Sequence, residues 1–130
     1  VCDPIESAAQ ALGDAFQVPE RFSDLQEMLA RASLDAVHVV TPPATHEAAA
    51  TAALEAGVHV LVEKPMTVDR AEADRLVAVA RRTGRTLAVD HNRWFDPVVL
   101  RARALLDEGA LGELVGVDVV QGAAVDEVQA

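Results

Sequence analysis

Nine residues, Gly57-Val58-His59-Val60-Leu61-Val62-Glu63-Lys64-Pro65, constrain the fold more than any other stretch of this chain. They read as a helix stop, a buried strand, and then an acid, a base and a proline at the strand's carboxyl end. Gly57 follows an alanine-rich helical run and suits the left-handed position after a helix. Val58 to Val62 is an almost unbroken apolar run with one His, the pattern of a strand covered on both faces. Pro65 stops it, because a proline has no N–H to give a ladder. In open α/β sheets ligands bind just beyond the carboxyl ends of the strands. Glu63 and Lys64 therefore stand where such a domain places chemistry. Taken alone, they are equally well a surface ion pair beside a turn.

The rest of the chain supplies the context. Val1-Cys2-Asp3 reads as a short strand ending in a carboxylate, and Ile5 to Phe16 as a helix with Ala8, Ala9, Leu12 and Phe16 along one side. Ser23, with Gln26 three residues on, predicts the start of a second helix. Asp35 to Val40 is a second buried strand, closed by Thr41-Pro42-Pro43. A helix from Thr45 or His46 to Ala56 leads into the Gly57–Pro65 stretch. Asp69 and Glu72 form a capping box for a helix that runs to Thr83 and stops at Gly84. Its Leu76, Val77 and Ala80 face inward, and Arg70, Arg75, Arg81 and Arg82 face water. Thr86 to Asp90 is a further strand, followed by a loop, His91 to Phe95. Asp96 and Pro97 open a helix ending at Gly109. Glu113 to Gln121 alternates as a strand does.

Strands alternating with helices predict βαβ units and a parallel sheet. Right-handed crossovers place all the strand ends on one rim. Asp3, Thr41-Pro42, Glu63-Lys64 and Asn92-Arg93 share that rim, which favours a ligand cleft. Composition agrees: 51% hydrophobic residues with only 3% aromatic means a core of Ala, Val and Leu. The net charge of -10 argues against nucleic acid or an anionic membrane as partner. No apolar run is long enough to span a bilayer. The lone Cys2 cannot form an internal disulfide and reads as a small strand residue, so a reducing, cytoplasmic setting is expected. Both ends of the chain look cut from a longer protein, since Val1-Cys2-Asp3 resembles a strand's end and Val117 to Val120 a strand just entered.

Each cluster has a chemistry and a bland counterpart. A carboxylate placed like Asp3 can accept hydrogen bonds from adenosine ribose hydroxyls and repel a 2′-phosphate; it is otherwise a solvated strand-end Asp. No Lys or Arg lies between residues 4 and 20, so NAD is expected over NADP. The phosphate fingerprint G-x-G-x-x-G is absent, and in this fold it would precede Asp3 by about 20 residues, upstream of Val1. The piece as written is therefore expected to bind dinucleotide weakly or not at all. His46 can bond a cofactor ribose or cap its own helix. His38 and His59, inside apolar strands, read as core or interface residues. No His or Cys pair has metal-ligand spacing, so no metal is expected. Lys64 is the candidate acid–base group, since a lysine can take a substrate hydroxyl proton where burial favours its neutral form. No Ser-His-Asp or Cys-His order supports a hydrolase.

These residues together resemble the Gfo/Idh/MocA family of NAD(P)-dependent sugar and polyol oxidoreductases. The resemblance runs from Val1-Cys2-Asp3-Pro4 to Leu111-Gly112-Glu113. Its most specific parts are Asp35-Ala36-Val37 with Thr41-Pro42-Pro43-Ala44-Thr45-His46, then Ala56 to Pro65. It implies an α/β fold: an incomplete, Rossmann-type doubly wound parallel sheet leading into the start of an α+β substrate domain. Residues 1–95 would be the dinucleotide-binding domain without its first strand and Gly-rich loop. Residues 96–130 would be the linking helix and first strand of the second domain. Asp3 would be the ribose-binding acid. Thr41, Pro42 and His46 would line the cofactor. Glu63, Lys64 and Pro65 would be the Glu-Lys-Pro signature, with Lys64 near nicotinamide and substrate and the Lys–Pro bond often cis. Asn92 and Arg93 would reach the nicotinamide end, although Trp94 replaces a usual basic residue and Asp90 a usual small one.

The implied activity is hydride transfer between NAD and a hydroxyl or carbonyl carbon of a sugar, polyol or related compound. The family's remaining catalytic groups would lie beyond Ala130, and the intact protein would be a homo-oligomer. A non-catalytic NAD-binding sensor of the same fold, or an inactive truncated product, are the other readings.

Overall fold

The computed structural model describes residues 1–120. It divides at His91/Asn92 into two compact units, the first being Val1–His91.

The first unit is built on three parallel strands, β1 (Ala36–Val39), β2 (His59–Val62) and β3 (Leu87–Val89), in the order β1-β2-β3. Register pairs Val39 with Val62 and Val62 with Val89. The ladder extends one residue past each strand, with Glu63 N donating to Val39 O and Asp90 N donating to Val62 O, both at 2.9 Å. The crossovers are helices α3 (His46–Glu55) and α4 (Arg70–Thr83). A strand order that advances one way with right-handed crossovers puts both helices on the same face of the sheet. There they bury Val39, Val60 and Val62 with Ala50, Ala53, Leu54, Leu76 and Val79 in one apolar core.

Local signals explain most boundaries. Asp69 Oδ1 accepts from Glu72 N at 2.9 Å, and Gly84 takes the left-handed conformation after α4. Arg70, Arg75, Arg81 and Arg82 are all exposed. Gly57 turns the chain from α3 into β2 with φ +84°. Helix α1 (Glu6–Phe16) is followed by α2 (Leu25–Arg31). The cap of α2 is Asp24 rather than Ser23, since Asp24 Oδ1 accepts from Glu27 N at 2.7 Å and sets the start one residue later than the Ser-x-x-Gln pattern predicts.

Four more expectations about the first unit change. The apolar run 58–62 is covered on one face only: β2 alternates half-buried His59 and Leu61 with buried Val60 and Val62. His38 and His59 point to the less covered face, so neither is a core residue. The apolar side of α1 is largely uncovered, with Leu12 and Phe16 exposed and only Ala9 and Gly13 buried. Val1-Cys2-Asp3 makes a single parallel bridge, Cys2 with Phe22, separate from the three-stranded sheet.

The second unit opens with a 3-10 turn, Asn92–Phe95, and helix α5 (Pro97–Asp107). Asp96 is the N-cap residue, but its carboxylate bonds Arg93 at 3.0 Å instead of the helix N–H groups. The Arg103 guanidinium lies 4.9 Å from the Trp94 ring centroid. The strand expected over Glu113 to Gln121 is not formed at residues 113–120, and Gln121 lies outside the described residues. Its Leu114, Val115, Val117, Val119 and Val120 are exposed. Alternation alone cannot make a strand, because backbone N–H and C=O groups need a partner ladder.

Candidate active site at the strand ends

Strands β1 and β2 end side by side, and the segments after them form the candidate site. After β1 the chain enters Thr41-Pro42 and a 3-10 turn, Pro43–Thr45, in which Pro43 occupies the first turn, where its missing N–H costs nothing. Thr45 Oγ1 lies 2.8 Å from both Pro42 O and Thr41 Oγ1, which stiffens this turn. Thr41 and Pro42 themselves are exposed.

After β2, Glu63 is held by its N–H to Val39 O, and its own Oε2 accepts from Lys64 N at 3.1 Å. The Lys64–Pro65 peptide bond is cis. The Lys64 side chain is exposed, so the burial expected of a lysine base is not supplied within this chain, and it forms no ion pair among the described residues. Its neighbour Glu63 therefore serves the backbone rather than the ammonium group.

His46 joins the two segments. It is the first residue of α3 and is 1% exposed. Nδ1 lies 2.9 Å from Pro65 O and Nε2 2.6 Å from Thr41 O. Both partners are carbonyls, which only accept. A neutral imidazole donates to one of them, and only the imidazolium donates to both. In either form both ring nitrogens face carbonyls of this chain, and no N–H of α3 is capped by this side chain. His46 is thus turned inward, between the two loops, instead of capping its own helix.

A third strand end adds an arrangement that local spacing does not reveal. His38, Glu63 and Asp90 alternate onto the less covered face of β1, β2 and β3, and each offers a ligand atom within 4.8 Å of the others. His38 Nε2 and Glu63 Oε1 are 4.0 Å apart. Neither carboxylate pairs with a Lys or Arg among the described residues. These three side chains are the ones whose donor set could gather a cation. The sequence does not show them as a group because each stands on or just beyond a different strand; register, not sequence spacing, brings them together.

Asp3 lies beside the Cys2–Phe22 bridge, half-buried, with Oδ1 accepting from Ile5 N at 2.8 Å. Its second carboxylate oxygen keeps its acceptor capacity, which is what a ribose hydroxyl needs. Burial, with the Asp24 charge second, pushes the neighbouring Cys2 thiol up, away from a reactive thiolate. Asn92 and Arg93 belong to the second unit, where Arg93 is paired with Asp96. The described residues thus offer a carboxylate for a ribose and a lysine for proton transfer, and no glycine-rich cradle for a pyrophosphate.

Known proteins share this arrangement. Residues 1–91 match the family model for the Gfo/Idh/MocA oxidoreductases, described as an oxidoreductase family with the NAD-binding Rossmann fold. D-glucoside 3-dehydrogenase of Escherichia coli is 35% identical over 114 residues, 88% of this chain and 32% of that enzyme. The WlbA dehydrogenase of Bordetella pertussis, solved with NADH and UDP-GlcNAcA, superposes with a TM-score of 0.80 at 30% identity, over 85% of this chain and 34% of that one. Scyllo-inositol dehydrogenase of Lactobacillus casei, solved with NAD(H) and scyllo-inositol, gives 0.80 at 27% identity, over 86% and 33%. The chain spans about a third of the length of each of these proteins. No helix among the described residues is long and apolar enough to cross a membrane. With a parallel sheet, its helical crossovers and its Glu-Lys-Pro strand end all in place, the chain is a member of the Gfo/Idh/MocA family of oxidoreductases and carries its NAD-binding Rossmann fold.

Proposed function

We propose that the protein containing this chain transfers hydride between NAD and a hydroxyl-bearing carbon of a sugar, polyol or related compound. The observation that carries the reading is the position of Lys64, exposed at the end of β2 with its backbone held on both sides. In the oxidising direction, Lys64 Nζ takes the proton of the substrate hydroxyl while the carbon's hydride leaves for the nicotinamide, so the alcohol becomes a carbonyl. NAD supplies the hydride acceptor when bound. The protein's task is to place the hydroxyl against the amine and the carbon against the cofactor. Asp3 binds the adenosine ribose and favours NAD over NADP by repelling a 2′-phosphate. Thr41 and Pro42 line the cofactor, and Glu63 and Pro65 hold Lys64 in place.

The same reading takes residues 1–95 as part of the dinucleotide domain and 96–130 as the start of the substrate domain. It also takes the whole protein as a cytoplasmic homo-oligomer. The test is steady-state oxidation of a polyol and sugar panel by the longest native polypeptide containing these residues. Lys64→Ala is expected to lower kcat by roughly 10²–10⁴, the usual worth of a positioned acid–base group, with Lys64→Arg equally poor because guanidinium does not give up its proton. A Lys64→Ala enzyme within a few-fold of wild type rules Lys64 out.

A further inference from the structure

We infer that His46 is a positioning residue that fixes Lys64 by tying the loop after β1 to the loop after β2, and that it makes no contact with cofactor. The ring is anchored on α3, whose Ala50, Ala53 and Leu54 are fully buried in the core. From there it reaches Thr41 O on one side and Pro65 O on the other. Thr41, Pro42, Lys64 and Pro65 on these loops are exposed. A buried ring with a nitrogen within hydrogen-bond distance of a carbonyl on each loop turns a rigid helix into a fixed spacer between them. Lys64 then stands between two anchors: Glu63 N on Val39 O before it, and Pro65 O on His46 after it. Its backbone is fixed while its side chain stays free to meet a substrate. The inference rests on the reading of Lys64 as the proton-transfer group.

Lys64 is the only lysine in the sequence, so amine acylation followed by peptide mass analysis reports on it alone, apart from the separately resolved N-terminus. The experiment compares the pH profile of Lys64 acylation in the chain, in His46→Leu, which fills the site without a donor, and in His46→Gln, which restores one. A native circular dichroism spectrum is the control for folding. His46→Leu is expected to change the acylation rate roughly two- to tenfold, the equivalent of one ordinary hydrogen bond, and His46→Gln to move it back toward wild type. A folded His46→Leu chain with an unchanged profile overturns the inference. Where His46→Leu does not fold, the wild-type chain decides by nitrogen-15 NMR. A ring N–H of His46 that exchanges slowly, unlike those of His38, His59 and His91, supports the spacer, and a ring exchanging as fast as theirs overturns it. No nucleotide is present in any arm, so failure here leaves the hydride-transfer reading standing, and failure of the Lys64→Ala assay leaves the acylation result unaffected.

Discussion

The two faces of the three-stranded sheet carry opposite kinds of residue. On the face under α3 and α4, Val39, Val60 and Val62 are buried with Leu54 and Leu76 in one apolar cluster. On the other face, His38, His59, Leu61, Glu63, Ala88 and Asp90 are exposed or half-buried. One face holds the strands together. The other brings an imidazole and two carboxylates within 4.8 Å of one another at the strand ends. The division follows from strand geometry, in which successive side chains alternate between faces. A strand can therefore be all but continuously apolar in sequence and still present chemistry on one side.

The comparison can be broken most severely from the covered face. Leu54 is fully buried, and Leu54→Ala is expected to cost about 2–5 kcal/mol through lost burial and the cavity left behind. Denaturant unfolding measures it. By contrast Ala88→Ser, on the less covered face, is expected to stay within about 0.5 kcal/mol. Equal losses at the two positions would show that the second face is as well packed as the first. A step down in size are the helix caps. Asp69→Ala removes the acceptor of Glu72 N at the start of α4 and is expected to cost about 1 kcal/mol, seen as a lower Tm; no change would mean that solvent satisfies that N–H equally well.

The smallest effect lies on the helical surface. The Arg75 guanidinium donates to Glu47 at 2.7 and 3.1 Å and holds that carboxyl below the usual glutamate range. A lowered folded value means that the pair's stabilisation is complete above the ordinary glutamate titration and is lost as pH falls through the lowered value. The Tm difference between wild type and Arg75→Ala is therefore expected to be small near neutral pH and to vanish in acid. A difference that grows as pH falls would contradict the assigned partner.

Much of this was legible in the sequence, for reasons the residues make plain. Gly57, Gly84 and the Asp69–Glu72 box are local devices whose physics is complete within a few residues, and they sit where the pattern puts them. The parallel order of β1, β2 and β3 follows from strand–helix alternation. What the sequence hid depends on register and on neighbours. The run 58–62 carries no mark of which face is covered. His46 looks the same whether it reaches outward to a ribose or inward to two carbonyls, because that choice is made by Pro65, nineteen residues away. The His38–Glu63–Asp90 grouping exists only once three strands are aligned. Residues 113–120 have strand alternation without a strand, since a ladder needs a second chain segment beside it.

These strand ends, with Asp3, are proposed to form the ribose and nicotinamide ends of an NAD site. Titration calorimetry of NAD and NADP against the longest native polypeptide containing these residues, with and without Asp3→Ala, tests it most directly. The account predicts that NAD binds more tightly than NADP and that Asp3→Ala weakens NAD by about 1.5–3 kcal/mol, the worth of hydrogen bonds to a charged group, while narrowing the preference. A folded protein that binds neither nucleotide, or binds both alike whether or not Asp3 is present, would contradict it.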